Sequence, residues 1–345
     1  MKSGPRAVEK PVRPTLADIA RMVEVSEATV SRALRGHPAI SEQMRGLIGR
    51  VARDLGYVPN AAARSLARQP NRTLGLIVPD VTDPVHGLIV AAFGRAAYAR
   101  GYTVILLDGA RDPARREAGL LTLRAHQVPG VAFCSAPVSA REMTELLRPT
   151  QVVFIMPEGA DAEVPTDTPL GRLRADDARG IGLLVEHLCA TGRQRLSYVN
   201  GIDTVSNRVR RKAVLEALQG RGIEPRIREY TAASADPAGA EEVARLVAHE
   251  RPDALICYDD KMALRLLDAL RSLGVRVPEE VAVTGFDGVP YAAISNPRLT
   301  TVAQPADRLG EIAAELLCLA IETGAAPPDV LLPVDLMVRE SSTRG

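Results

Sequence analysis

The chain has 345 residues, of which 46% are apolar and 25% charged, with a formal net charge of +1. These values belong to a soluble globular protein of about two to three domains, each with its own core, and exclude a mini-protein that needs staples. No apolar run approaches the roughly 20 residues needed to cross a bilayer. Charge is segregated along the chain: residues 1–70 hold 12 Lys and Arg against 6 Asp and Glu, and the remainder holds 31 against 36. A basic head on an acidic body is the balance expected where the head meets a polyanion.

Residues 1–14, "MKSGPRAVEKPVRP", carry charge and proline but no apolar stretch, so they read as a flexible basic tail and not as a secretory signal. A cytoplasmic protein is expected. Thr15 with Asp18 makes a capping-box start, after which Leu16, Ile19, Ala20 and Val23 share one helical face. A two-residue turn, Glu24-Val25, follows. Ser26 is the next N-cap, its oxygen able to satisfy the first free amides, and Val30, Ala33 and Leu34 return to the core. In "SEATVSRAL" this leaves Glu27, Ser31 and Arg32 on a second, polar face. A third helix runs from the cap Ser41 to Leu55, turns Met44, Leu47, Ile48, Val51 and Leu55 inward, and stops at Gly56. The three helices fill residues 15–58. Next, Pro59-Asn60 opens a very short helix, "AAARSLA", which Gln69-Pro70-Asn71 ends; two turns without a core are marginal in water, so residues 59–72 need a partner to fold.

From Leu74 the pattern changes to short apolar runs alternating with amphipathic helices. "LGLIVP", "YTVILLD", "GVAFCS" and "VVFIM" form one series, with helices over Pro84–Arg100 and Ala114–Gln127 between them; "LSYVNG", "ALICY" and "VAVTGF" form another. Buried strands alternating with helices mean βαβ units on parallel sheets. The series is too long for one sheet, and a change near Arg174 predicts two similar lobes with a cleft between them. Cys134, Cys189, Cys257 and Cys318 are scattered singly, without CxxC or nearby His, so each reads as a buried reduced thiol and neither metal nor cofactor is expected. The chain holds no P-loop, no GxSxG, no GxGxxG after its first strand and no metal-binding His spacing, which argues against an enzyme.

Taken together, "TLADIARMVEVSEATVSRAL", "ARDLGYVPNAAARSLA", "LGLIVPDVTDP", "RVPEEVAVTGFDG" and "NPRLTTVAQP" resemble the lactose-repressor (LacI) type of bacterial transcription regulators. The likeness spans Leu16 to Ser342, in the order and spacing of that family, whose body is related to periplasmic sugar-binding proteins. It implies an all-α helix-turn-helix domain followed by an α/β body of two Rossmann-like lobes, residues 73–345. The first lobe is expected over about 73–174 and 303–331, and the second over about 175–302 and 332–345. The function implied is a repressor, homodimeric on pseudopalindromic double-stranded DNA, whose operator affinity a small metabolite controls. No membrane partner is expected.

By position, the family's base contacts fall on Glu27, Ala28 and Arg32. The chemistry agrees: Arg32 can pair bidentately with guanine, Glu27 can accept from cytosine N4, and Ala28 can touch a thymine methyl. Glu27 also suits the positive end of a helix dipole without any ligand. Ser26, Thr29, Ser31, Arg35 and Asn60 are the implied phosphate partners, though each could serve as a cap. Leu66 is the implied wedge into the minor groove at a central CpG step. In the body, effector contacts fall on Arg210 and Asp287, for which the alternative role is an ion pair between the lobes. Val85, His86, Cys134, Ser206, Asp259 and Asp176 are further candidates, and His86 equally fits a surface position on its helix. Four departures stand out. Glu24 replaces the family's usual turn Gly, Asp259 in "YDDKMA" replaces an Asn, Met156 replaces an Asp, and the chain has no Trp to stack on a sugar ring. No leucine heptad follows "LMVRESSTRG", so a tetramerising tail is not expected. The competing reading is a small-molecule binding protein without a DNA role, which would have no use for residues 1–70.

Overall fold

The computed structural model describes residues 14–34, 36–57, 71–109, 111–135, 150–157, 170–223 and 237–343. The chain divides into two compact units, residues 1–70 and 71–345.

In the first unit, helices α1 (Leu16–Val23), α2 (Glu27–Leu34) and α3 (Glu42–Asp54) enclose a core of Ile19, Ala20, Val30, Ala33, Ile48 and Ala52. The capping box forms as its residues dictate: the Thr15 backbone N–H donates to Asp18 Oδ2 at 2.8 Å, and the Asp18 N–H donates to Thr15 Oγ1. Glu24 caps the C-terminus of α1 in the left-handed region, at φ 55° and ψ 42°. That conformation explains why a glycine would suit this turn. Ser41 caps α3 by accepting from the Met44 N–H, and Gly56 at φ 66° closes the helix. One expectation fails: Leu47 is exposed, and the helix turns Ala52 into the core in its place. The short helix expected at "AAARSLA" lies outside the described residues.

The second unit contains two sheets. The first has the order β10-β5-β4-β3-β1-β2, with β1 Thr73–Val78, β2 Thr103–Asp108, β3 Gly130–Cys134, β4 Gln151–Ile155, β5 Leu170–Ala175 and β10 Val330–Leu332. All its described pairings are parallel. Strand β3 is buried throughout and β4 nearly so, as the unbroken apolar runs require of strands covered on both faces. The second sheet has the order β11-β9-β8-β7-β6, from β6 Leu196–Val199, β7 Ala254–Cys257, β8 Ala282–Asp287, β9 Thr300–Ala303 and β11 Asp335–Met337. Only β11 there runs antiparallel, against β9. The helices of this unit are α4 (Pro84–Ala99), α5 (Pro113–Ala125), α6 (Asp177–Ala190), α7 (Val205–Gln219), α8 (Pro237–Glu250), α9 (Asp260–Ser272) and α10 (Ala306–Thr323).

The chain passes between the sheets three times: after β5, after β9, and between β10 and β11. Leu332 still pairs with Ala175 in the first sheet and Ala303 with Asp287 in the second, so each crossing falls about a residue beyond the anticipated boundary. Each lobe therefore folds around its own sheet, and three crossings join the two. Among the described residues, no helix is long and apolar enough to cross a membrane.

Candidate functional site

Helix α2 buries Val30 and Ala33, and that packing fixes its other face outward. Glu27, Ala28 and Arg32 are exposed together, at the N-terminal end and one turn on. Arg32 Nε donates to the Ala28 carbonyl at 3.2 Å, which folds the guanidinium back along this face. Ser26 and Thr29 are partly occupied with each other: the Thr29 N–H donates to Ser26 Oγ at 3.1 Å, and the two hydroxyls lie 2.9 Å apart. The Ser26 side chain thus serves as the cap of α2. Ser31 is half-buried. Arg35, Asn60 and Leu66 lie outside the described residues.

In the body, a cavity of about 290 Å³ opens between the lobes. Asp80, Asp83, Val85, His86, Arg111, Ser135 and Met156 line it from the first lobe, and Ile202, Ser206, Arg210, Tyr258, Asp259, Lys261 and Asp287 from the second, with Gln304 at a crossing. Local capping sets this geometry. Asp83 caps α4 through the Val85 N–H at 2.9 Å, with Pro84 at the first helical position, Asp259 caps α9 through the Met262 N–H, and Thr204 caps α7 through the Asn207 N–H.

Arg210 is buried in the cavity floor. Its Nε donates to Asp177 Oδ1 at 2.9 Å, its Nη1 donates to the Tyr258 carbonyl at 2.7 Å, and its guanidinium stacks 3.7 Å from the Phe286 ring centroid. Burial opposes the charge, but the carboxylates of Asp177 and Asp287 hold it above its ordinary value. Asp287 lies 3.5 Å from Arg210 Nη1 and accepts from Gln304 Nε2 at 2.6 Å. Burial drives the Asp287 carboxyl well above the carboxylate range; Arg210 opposes the rise, and Asp259, Asp260 and Asp83 add to it. Asp287 has φ 122°, a conformation that favours glycine, and Gly288 follows at φ 72°. A Cβ on Gly288 would meet Ala303 Cα at 2.6 Å, so only glycine completes this turn. The turn is held from below by the fully buried Asp260, which accepts from the Val289 N–H at 2.8 Å and the Thr301 hydroxyl at 2.6 Å.

His86 is buried on the cavity wall and not on the surface, with Nδ1 3.0 Å from the Asp80 carbonyl. Burial lowers its pKa, against the pull of the Asp83 carboxylate. The ring is therefore neutral near pH 7: Nδ1–H donates to Asp80, and Nε2 is left as an acceptor.

Six of the expected effector residues line the cavity: Arg210, Asp287, His86, Val85, Ser206 and Asp259. Two do not. Cys134 points into the core of the first lobe, where burial pushes its thiol up to about 12, and Ser135 takes its place on the wall. Asp176 caps α6 through the Arg179 N–H at 2.9 Å and borders a neighbouring cavity of about 200 Å³. Sequence reading missed Asp83 and Lys261, which meet across the cleft as an ion pair. Both were inside quoted motifs, "DVTDP" and "YDDKMA", but nothing in either motif says that the two touch.

Residues 15–60 match the bacterial regulatory proteins of the lacI family, and residues 185–342 match a periplasmic binding protein-like domain. The HTH-type transcriptional regulator GalR of Salmonella typhimurium strain SL1344 is 32% identical over 92% of this chain and 92% of its own. The ribose operon repressor of Escherichia coli K12 is 28% identical over 88% of this chain and 92% of its own. The lac repressor dimer bound to operator and the anti-inducer ONPF superposes with a TM-score of 0.80 at 25% identity, covering 97% of this chain and all of that one.

Proposed function

The chain belongs to the lacI family of bacterial regulatory proteins, and from that premise we propose that it is a repressor whose hold on an operator is set by a small metabolite in the inter-lobe cleft. As in that family it is a DNA-binding transcriptional regulator and not an enzyme. The observation that carries the reading is the presence, in one chain, of an outward polar face on α2 and a cavity floored by Arg210 and Asp287. Glu27, Ala28 and Arg32 read base edges in the major groove, and Ser26, Thr29, Ser31, Arg35 and Asn60 hold phosphates. Leu66 enters the minor groove at a central CpG step of a pseudopalindrome, which two chains of a homodimer share. An operator partner places the protein in the cytoplasm.

In the cleft, Asp287 and Asp259 accept from ligand hydroxyls, and Ser206 and His86 Nε2 supply adaptable polar contacts. The metabolite is a sugar, sugar acid or similar polyol. Its hold on both lobes favours one inter-lobe arrangement only by its differential affinity, so the coupling to DNA is about 1–3 kcal/mol and reciprocal. Deleting residues 1–70 tests the division of labour. The truncated body is expected to lose operator binding and to keep the ligand-induced rise in melting temperature found by screening sugars, sugar acids, nucleosides and sugar phosphates. Retained operator binding would refute the assignment of the head, and a body that melts unchanged with every ligand that shifts the intact chain would refute the assignment of the cleft.

A further inference from the structure

We propose that Asp83 and Lys261 form a tether across the cleft that biases the body toward its closed arrangement before any effector binds. Asp83 precedes α4 in the first lobe, and Lys261 is the second residue of α9 in the second. The Lys261 ammonium donates to Asp83 Oδ2, while Asp83 Oδ1 is engaged with the Val85 N–H as the α4 cap. Among the ion pairs in which both members are described residues, this one alone joins the two lobes; the others lie within the head or within a lobe.

The pair is neither a surface decoration nor a fully buried bridge. Its side chains are 14% exposed at Asp83 and 36% exposed at Lys261, so solvent screening is reduced while desolvation stays moderate. The cap fixes the acceptor in advance, and less side-chain freedom is lost when the pair forms. Burial works against both charges, yet the Asp83 carboxyl stays below its ordinary value through His86 and Lys261, and the Lys261 ammonium stays above its own through Asp83, Asp259 and Asp287.

The surroundings of Lys261 give the tether its reversibility. Asp259 and Asp287 belong to Lys261's own lobe and line the same cavity, so the ammonium, already 36% exposed, keeps carboxyl oxygens and solvent beside it when Asp83 moves away. Opening the cleft does not strand a buried charge, and the tether biases an equilibrium without locking it. A ligand that needs the closed form then binds more tightly than it would to an untethered body, because its apparent affinity scales with the fraction already closed.

The test uses the ligand-free full chain and so stands apart from the effector assignment. Asp83→Asn removes the charge and keeps a side chain that caps a helix equally well, and Lys261→Met removes the ammonium and keeps the length. Amide hydrogen exchange is followed by mass spectrometry on the peptides spanning 84–92 and 258–266. The tether predicts faster exchange on the opposite lobe: Asp83→Asn raises it at 258–266, and Lys261→Met raises it at 84–92. The expected change is about fivefold, the factor that about 1 kcal/mol makes in an equilibrium. Lys261→Arg, which keeps the charge, returns the rate toward the parent's. Exchange unchanged across the cleft, or raised only in the mutated lobe, would overturn the proposal. Should Lys261→Met fail to fold, Asp83→Asn with Lys261→Arg decides it alone.

Discussion

Arg210 and Asp287 stand 3.5 Å apart on the same lobe, so the candidate effector anchor is assembled within one body and does not depend on cleft closure. The alternative considered from sequence, an ion pair between the lobes, is met by Asp83 and Lys261 instead. Arg210 also carries Asp177, which gives it a structural role beside its proposed contact with ligand. Arg210→Ala is therefore expected to leave the half-buried Asp177 without its cation and Asp287 without its nearest donor, and to cost about 3–5 kcal/mol of stability, the penalty of breaking a buried pair. Asp287→Asn keeps size and shape, tolerates the positive φ, and is the milder probe of ligand binding. Thermal melts of both variants check the contrast; equal stability would mean that Arg210 is not structurally engaged.

The head and hinge should fail separately. Arg32→Ala is expected to cost about 1–3 kcal/mol and to relax preference at one base pair per half-site. Leu66→Ala is expected to reduce bending and leave half-site preference intact. Binding-site selection on each variant, with a circular-permutation bending assay, separates the two. Identical changes in preferred sequence would contradict this division.

Glu24 sits at φ 55° where its side chain gains nothing visible. Left-handed backbone costs a non-glycine residue about 1 kcal/mol, partly offset because glycine has more freedom to lose on folding. Glu24→Gly is expected to raise the stability of the isolated head, residues 14–70, by a few tenths of a kcal/mol up to about 1 kcal/mol, read from its denaturation midpoint. A lower midpoint would show that the turn is not strained.

Asp260 makes stability depend on pH. Burial raises its carboxyl to about 7 in the folded chain, from an ordinary value of 3.8, against the hydrogen bonds of Thr301 and Val289. Between those values the folded form binds more protons than the unfolded, so this group's contribution weakens as pH rises from about 4 through about 7. Asp260→Asn removes the titration, and its stability is expected to fall less over that window than the parent's. Parallel pH profiles would show that Asp260 is ionised throughout.

The head was legible in the sequence almost to the residue, because caps and a 3.6-residue apolar period act locally; Thr15, Asp18, Ser26 and Ser41 each announce a helix start. Leu47 was misplaced because it adjoins Ile48 in sequence, while the buried stripe of the helix runs through Ile48 and Ala52 with Met44, Val51 and Leu55 packed beside it, which leaves Leu47 outside. In the body, buried strands such as β3 and β4 declared themselves as unbroken apolar runs, but β5 did not, since Arg172 and Arg174 interrupt it and its pairing with β10 comes from more than 150 residues away. Site residues followed the same rule. Arg210, Asp287 and Asp259 belong to motifs whose order is local, whereas Cys134 faces the core with its neighbour Ser135 on the cavity, Asp176 serves as a helix cap beside a neighbouring cavity, and the Asp83–Lys261 contact exists only once two lobes have folded and met.

Coupling between the cleft and the operator is measured by one titration. Fluorescence anisotropy of labelled operator DNA is recorded with the full chain, with and without the metabolite that raises its melting temperature, for the parent and for Asp287→Asn. The parent's operator affinity is predicted to change about 5- to 150-fold, the range of a 1–3 kcal/mol coupling, and the change is predicted to be lost or much reduced in Asp287→Asn while metabolite-free affinity stays near the parent's. An unaltered response in that variant, or a parent whose operator affinity ignores a metabolite shown to bind the cleft, would contradict it.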